Sequence, residues 1–578
     1  MSKQTKQTLI GGALILTLAT LITKLVGWVY NLFVADLWLH GDGMGYYNVA
    51  YSFYNPISIL AIAGFPAAIA KIVSGYNAQQ RYADIRALKK ASRRLFLFIG
   101  IAGTLVLALF SFPFANYVFK NPRSVYCMLA IAPSIFFSSL VSARRGYDQG
   151  FRNMKTTAAS QIIEVLAKTA FGLAACYFSL KYLRAEYAAS GTVLGEAIAD
   201  AGAASALILA LAAAATIFSV TVSVAVSYLY YVIRSRRSGE GFTEQQVLES
   251  PPAQSQKYYM KLILSIGIPI AVSSLVSSIT GMIDTAMLQS IVGTMMEEQP
   301  QAIYDAYHGL LDGKQADQVA NFLYGSYSAY ACKIYNLIPM LTSTFSTSAL
   351  PLVSEMWELK DHEGFQRSAT SAFRMAAVVS APIGFGCLAL AGPILSVVFS
   401  SSPLECAIAT MPLRILGGMA IIDTACLPMF CIFNAAGRVD IPVKLTCSGA
   451  VLKVIVTYLL LRIPSVNILA APIANVIYYV YVLVVGAIVA RRLLSFRFPF
   501  WSAMAKPAIA GALCGAFALL AYHLLPSGRL FTLLAIAVGG IVYLLALVVL
   551  HVLPREDVAS MPGGRRLEKL FERLGAFS

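Results

Sequence analysis

Runs of apolar residues recur from Thr8 to Leu553, separated only by short polar stretches. A helix needs roughly 20 such residues to cross the ~30 Å hydrocarbon layer of a bilayer. Fourteen segments reach that length: 8–36, 46–77, 94–118, 125–147, 156–182, 192–234, 259–291, 319–354, 368–399, 405–433, 439–461, 466–490, 502–525 and 529–553. The pattern predicts an all-α integral membrane protein of about 14 transmembrane helices, because only a helix or a closed barrel satisfies its own backbone in lipid. The sixth segment is long enough to extend past the bilayer. The first is too long for a signal peptide and ends in no small-residue cleavage site, so it reads as a membrane helix.

Composition agrees and narrows the class. Hydrophobic residues make up 58% of the 578-residue chain and charged residues 12%, where a soluble chain carries roughly twice that charge. A soluble enzyme is excluded. The nine cysteines form no C-x-x-C pair, and most lie inside apolar runs, where cysteine serves as a small hydrophobe. The five histidines are scattered without metal-ligand spacing, and no G-x-x-x-x-G-K-[ST] loop is present. No metal, cofactor or nucleotide-driven pump is expected.

Lysine and arginine set the expected orientation. With both termini on the cytoplasmic side, the 81–94 segment alone places Arg81, Arg86, Lys89, Lys90, Arg93 and Arg94 inside. The outer loops and the span ends beside them carry only Lys120, Arg123, Lys181, Arg184, Lys314, Arg462 and Arg529. That asymmetry is the positive-inside rule for an even number of crossings. The net charge of +16 then reflects topology and anionic headgroups, not nucleic acid, since no basic soluble domain exists to bind it.

The chain also repeats itself. Leu21–Gly27 resembles Leu275–Gly281, Ile72–Ser74 resembles Leu352–Ser354, Phe65 and Arg94 match Phe345 and Arg374, and Gln149–Gly150 resembles Asn434–Ala435. The offset grows along the chain and jumps where residues 293–318 form an extra acidic loop (Glu297, Glu298, Asp305, Asp312, Asp317) expected outside. The expected organisation is two pseudo-symmetric six-helix lobes around a central cavity: 1–235 and 259–492, joined by a cytoplasmic linker, 236–258. Two further helices occupy 493–555. Residues 556–578 form a cytoplasmic tail in which Leu567, Leu570, Phe571 and Leu574 alternate with basic residues at helical spacing. That spacing reads equally as an interfacial helix or a solvated tail. Transporters commonly bind substrate between such halves.

Charges within the spans carry the chemistry, because each costs about 2.5–3.5 kcal/mol to insert and so faces a cavity or a partner. Lys24, Lys168, Lys333 and Lys453 sit near mid-span, two in each half; Lys71 lies at a helix end and snorkels. Thr17, Thr20, Lys24, Gly27 and Asn31 form one polar stripe on the first helix, and Ser273, Ser277, Gly281 and Asp284 repeat it on the seventh. The fifth helix carries Gln161, Glu164 and Lys168, and the eighth Tyr330, Lys333 and Asn336 or Leu337, followed by Pro339. Glu164 and Lys168, four apart, either neutralise each other or serve the cavity; Asp284 either clamps to a lysine or couples an ion. The run Gly41-Asp-Gly-Met-Gly45 follows no strand and reads as a loop, not a phosphate cradle. A cavity rich in lysine repels drug cations and attracts an anionic headgroup such as a pyrophosphate, while the lipid chains stay in the bilayer.

Several stretches resemble a known family: Gly11–Leu16 with Thr23-Lys-Leu-Val-Gly27; Ala63-Gly-Phe-Pro-Ala-Ala-Ile-Ala-Lys-Ile-Val-Ser74; Arg145-Gly-Tyr-Asp-Gln-Gly-Phe-Arg-Asn-Met154 with Ser160–Glu164; and Ala349-Leu-Pro-Leu-Val-Ser-Glu355. Over about residues 8 to 500 the chain resembles the stage V sporulation protein B branch of the multidrug/oligosaccharidyl-lipid/polysaccharide exporter superfamily, which also contains the lipid II flippases. The resemblance implies alternating access in a bacterial cytoplasmic membrane and outward transport of an undecaprenyl-pyrophosphate-linked glycan, lipid II or a relative. It implies cavity residues Lys24 and Lys333, where arginine is usual, with Asn31 and Ser58 standing where relatives carry basic residues. Lys168, Lys453 and Arg374 are expected to set the cavity potential, and Asp284 or Glu164 to couple H+, Na+ or the membrane potential. The rival expectations are a multidrug exporter of the same fold, whose cavity acids outweigh its bases; a membrane-embedded transferase or polymerase, which needs clustered acids or a histidine at the outer face; and a non-transporting envelope or sporulation protein.

Overall fold

A computed structural model of the protein describes residues 9–62, 64–238, 242–526 and 528–554; the predicted amphipathic tail lies outside them. The chain runs as α1 (Leu9–Val34), a π-helical turn (Ala35–Leu39), α2 (His40–Ile62), α3 (Phe65–Ala78), α4 (Tyr82–Pro113), α5 (Val125–Ile131), α6 (Ser134–Gly150) and α7 (Met154–Ser190). A small antiparallel hairpin of β1 (Thr192–Val193) and β2 (Glu196–Ala197) follows, then α8 (Ala201–Ser238), α9 (Glu244–Leu248), α10 (Gln256–Glu298), α11 (Pro300–Ala306) and α12 (Ala316–Ser326). After another π-helical turn at Phe114–Val118, a third (Tyr327–Ala331) leads to α13 (Cys332–Tyr335) and α14 (Leu337–Glu358), then α15 (His362–Val398), α16 (Pro403–Ala435), α17 (Asp440–Leu461), α18 (Ala470–Leu494), a fourth π-turn (Phe500–Ala505), α19 (Lys506–Leu524) and α20 (Arg529–Val549).

Twelve helical segments of the described residues are long and apolar enough to cross a membrane. The first, Ile15–Ala78, is 64 residues long and holds two predicted crossings. A π-turn and Asn336 divide the predicted span 319–354 into α12, α13 and α14. The chain is an all-α, multi-pass membrane protein.

The structure corrects three local expectations. Gly41–Gly45 is no loop but the first turns of α2, reached through the π-turn and a positive φ (48°) at His40. The expected acidic loop 293–318 is largely helical, formed by the end of α10, by α11 and by the start of α12. The predicted sixth span begins with the β-hairpin, and its helix starts only at Ala201.

Two compact units emerge. The first comprises residues 1–298 and 313–325, the second 299–312 and 326–578. In the first, the glycines of α2 explain its seam with α12. A Cβ at Gly325 would overlap the Gly41 carbonyl, and one at Gly45 would overlap Asn321. Around this contact, Lys314 binds Asp42 at 2.5 Å, and Asn321 donates to the Asp42 carbonyl (2.7 Å) while accepting from Asn121 (2.8 Å). Arg123 pairs with Asp317 at 2.9 Å. The core of this unit gathers Phe65, Ile69, Ile85, Leu88, Phe96, Tyr259 and Ile263 from α3, α4 and α10.

The 242–256 linker is fastened to the same unit. α9 opens with a Thr243–Gln246 capping box. Glu244 takes both guanidinium nitrogens of Arg86, the Ser250 hydroxyl accepts from the Ala83 amide (3.0 Å), and the Tyr259 hydroxyl donates to buried Asp84. The core of the second unit joins Phe365, Phe373, Met429, Phe433, Phe496 and Tyr543 across α15, α16 and the C-terminal helices.

The turns at the matched positions share one backbone geometry. The turn after α3 bonds Gln79, Gln80 and Arg81 amides to Gly75, Asn77 and Tyr76 carbonyls; the turn after α14 bonds Leu359, Lys360 and Asp361 to Glu355, Trp357 and Met356. Gln80 and Lys360 both take positive φ, 56° and 57°. The turn after α6 bonds Phe151, Arg152 and Asn153 to Tyr147, Gln149 and Asp148, and the turn after α16 does the same for Ala436, Gly437 and Arg438 with Ile432, Asn434 and Phe433. The same turn, with a left-handed His551, also closes α20 at 550–552, so it is a common way for a helix to end.

Two outcomes follow. Gly325→Ala is expected to destabilise by about 1–3 kcal/mol through overpacking, whereas Gly540→Ala in α20, which meets nothing within 4 Å, is expected to be neutral or stabilising by up to about 1 kcal/mol; thermal unfolding in detergent compares them. Arg86 holds the Glu244 carboxyl below the usual range, so its contribution is complete above the unfolded value of about 4.3 and fades as pH falls through the lower folded value. Hydrogen exchange across 243–249, corrected for intrinsic rate, is expected to stay protected to about pH 4.3 and to rise below it.

Candidate substrate and coupling residues

In the first unit the polar stripe of α1 faces α7. Thr20 Oγ1 donates to Gln161 Oε1 at 3.3 Å, and Gly27 lies against Val165. Lys24 sits between them on the stripe, is exposed, and makes no ion pair or hydrogen bond with the described residues. Asn31 turns its amide back on its own helix, donating to the Gly27 carbonyl at 2.7 Å.

Glu164 and Lys168 do not neutralise each other. Glu164 pairs with Arg145 of α6 at 2.7 Å, and Arg145 Nε also donates to Ser160 Oγ at 3.1 Å. Ser160 in turn accepts from the buried Tyr231 hydroxyl of α8 (3.2 Å). The cluster joins three helices, and both charges are half-buried. The i, i+4 spacing allowed an ion pair, but a guanidinium from the neighbouring helix offers a planar fork that a lysine lacks.

Lys168 is instead held by tyrosines. Its Nζ donates to the Tyr51 hydroxyl at 3.0 Å and lies 5.3 Å and 5.6 Å from the ring centres of Tyr51 and Tyr30. Aromatic faces stabilise an ammonium in partly dry surroundings. Gly172, one turn on, makes room for the buried Tyr30 ring. Ser277 and Gly281 on α10 are exposed and Asp284 is half-buried, with polar partners of its own. Ser58 is bonded to its own helix through the Asn55 carbonyl.

In the second unit Lys333 is half-buried on the four-residue α13, directly after the π-turn, and has a polar partner. π-Turns are rare and collect at functional sites. Two residues on, the buried Tyr335 hydroxyl donates to Asp423 of α16. Asp423 is 7% exposed, and Tyr479 lies beside it. Sequence reading passed over this carboxyl, although an acid in the middle of the 405–433 span was the available signal. Lys453 on α17 is 9% exposed and partnered, and Arg374 on α15 is half-buried and partnered. The chosen residues therefore divide between the units: Lys24, Asn31, Lys168, Glu164 and Asp284 in the first, Lys333, Lys453 and Arg374 in the second.

Similarity to known proteins bears out the resemblance read from the motifs. A family model described as polysaccharide biosynthesis protein matches residues 9–357, and one described as lipid II flippase MurJ matches residues 319–539. In Bacillus subtilis (strain 168), the uncharacterized membrane protein YabM is 23% identical over 97% of this chain and 96% of its own. Stage V sporulation protein B is 21% identical over 85% of each. The lipid II flippase MurJ is 30% identical over 30% of this chain and 33% of its own. Among solved structures, lipid II flippase MurJ in an inward closed conformation shares the fold at a TM-score of 0.61 and 13% identity, covering 93% of this chain and 99% of that one. An inward-facing MATE family multidrug resistance transporter aligns at 0.53 and 13% identity, covering 84% and 98%.

A double-mutant cycle checks the pairing. Arg145→Ala with Glu164→Gln is expected to show a coupling of about 1.5–3 kcal/mol, as for a hydrogen-bonded charge, while Lys168→Met with Glu164→Gln is expected to show about none. Unfolding in detergent supplies the four stabilities for each cycle.

Proposed function

Because the chain belongs to the polysaccharide biosynthesis protein family, we propose that it is a flippase that carries a lipid-linked, pyrophosphate-bearing glycan across the bacterial cytoplasmic membrane. Lipid II or a relative is the substrate, and the two halves alternate access to a basic cavity. The observation that carries this reading is Lys24: a cation on a membrane-length helix, exposed and unpaired among the described residues. A charge so placed is stable only beside water or an anionic ligand. Lys333, on the broken eighth helix, is its counterpart in the second half.

The lipid II flippase named among the relatives supports the substrate class, and the shared fold alone does not separate it from a drug exporter. The sign of the charge separates them: mid-span lysines favour an anion and oppose a cation. Lys168 is assigned to shaping the cavity through Tyr51 and Tyr30. Glu164 is committed to Arg145, which leaves Asp284 and the buried Asp423 as the acids for coupling to an ion or to the membrane potential.

The test is flipping of labelled lipid II in proteoliposomes. The wild type is expected to flip it, Lys24→Ala with Lys333→Ala to lose at least about tenfold in rate, and Lys24→Arg with Lys333→Arg to retain most of it, since a second cation still meets the phosphate. Wild-type rates in the double alanine variant would overturn the cavity assignment. Flipping of a different polyprenyl-linked glycan, but not lipid II, would move the substrate within its class.

A further inference from the structure

A cavity of about 480 Å³ opens at the start of α4, between α4, α6, α8 and α9 of the first unit. The proposed function makes no use of it. Its wall collects Arg86, Lys89, Lys90 and Arg93 from α4 and Arg144 from α6 against one carboxylate, Glu244. Both Glu244 oxygens are taken by Arg86, and Lys89 rests 5.2 Å from the Tyr147 ring centre. Lys90 and Arg93 have no hydrogen bond or ion pair with the described residues. Topology alone accounts for basic residues near a membrane face, but such residues project separately into water. Here they converge on one concavity, with Ser92, Ser235 and Tyr228 also in its wall.

The shape of α4 says what kind of molecule would fill it. Lys90, Arg93, Leu97 and Ile101 follow one another at helical spacing and are all exposed. The row passes from cations to hydrocarbon within about two turns, and Phe98 beside it is 70% exposed. A molecule with a phosphate at one end and acyl chains at the other matches this row; a soluble phosphate compound matches only the basic end.

We propose that this cavity binds the phosphate headgroup of an anionic phospholipid, whose chains lie along the exposed row of α4. The tight docking of α9 through Arg86 and Glu244 closes one side of the site, so the lipid is held in a built pocket and not in a diffuse field.

The experiment uses the full-length protein in nanodiscs of phosphatidylcholine doped with phosphatidylglycerol, with retained lipid read by native mass spectrometry. Phosphatidylglycerol is expected to be retained over phosphatidylcholine. Lys90→Gln with Arg93→Gln is expected to lower that preference about thirtyfold, from the loss of two basic contacts. Arg491→Gln with Arg492→Gln, which removes the same charge from exposed positions on α18, is expected to leave it unchanged. Equal loss in both variants, or no preference in the wild type, would overturn the site in favour of diffuse attraction. Glycerol phosphate that displaces the lipid at matched concentration would overturn the lipid as the ligand. A photoactivatable phosphatidylglycerol provides a readout free of substitution: crosslinks are expected within 86–101 and 140–147, and crosslinks confined elsewhere would reject the proposal.

Discussion

A charge carried on a membrane-length helix has to be bonded, stacked or wet, and the arrangement of this protein follows from how each such charge meets that demand. Lys168 is stacked and bonded by Tyr51 and Tyr30. Arg145 and Glu164 answer each other across two helices, with Ser160 and Tyr231 completing the network. Asp423 is covered by Tyr335 and Tyr479. In each case the partner comes from a different helix, so the solution to a desolvation problem also fixes helix against helix. Lys24 is solved differently, by exposure, and it is this one that is proposed to meet the substrate.

The two units share turns at matched positions. The same sequence of turn hydrogen bonds ends α3 and α14, and another ends α6 and α16, with left-handed residues at corresponding places. α12 is drawn against α2 by a seam at which Gly41, Gly45 and Gly325 leave no room for side chains, and Asp42, Asn121 and Asn321 fill the remaining polar needs. A π-turn then interrupts the helix at the boundary between the units, and Lys333 stands on the short piece that follows. The residue proposed to meet substrate in the second unit therefore lies where the helix is least regular, and its counterpart Lys24 lies on a continuous one.

The basic residues of the first unit fall into two kinds. Lys24 is a single cation among threonine, glycine and asparagine on a polar stripe. The residues at the start of α4 are a cluster, gathered around a cavity and graded into hydrocarbon along the same helix row. The fold is shared with proteins that handle very different cargo, so it is these local arrangements that carry the functional argument.

The sequence by itself determined the class, the crossings and the mid-span lysines, because apolar run length, charge bias and spacing are properties of a line of residues. What it left undecided were the partnerships. Glu164 has Lys168 four residues away and Arg145 nineteen away, and only the packing of α6 on α7 selects the arginine. Gly41–Gly45 reads as a loop until α12 is set against it, since the same glycines that loosen a chain also permit close helix contact. Asp423 passed unnoticed because a lone acid in an apolar run gives no sign of the tyrosines that will cover it. The broken eighth helix and the α4 cavity likewise depend on which helices meet, at separations of a few ångströms, and tertiary structure alone sets those separations.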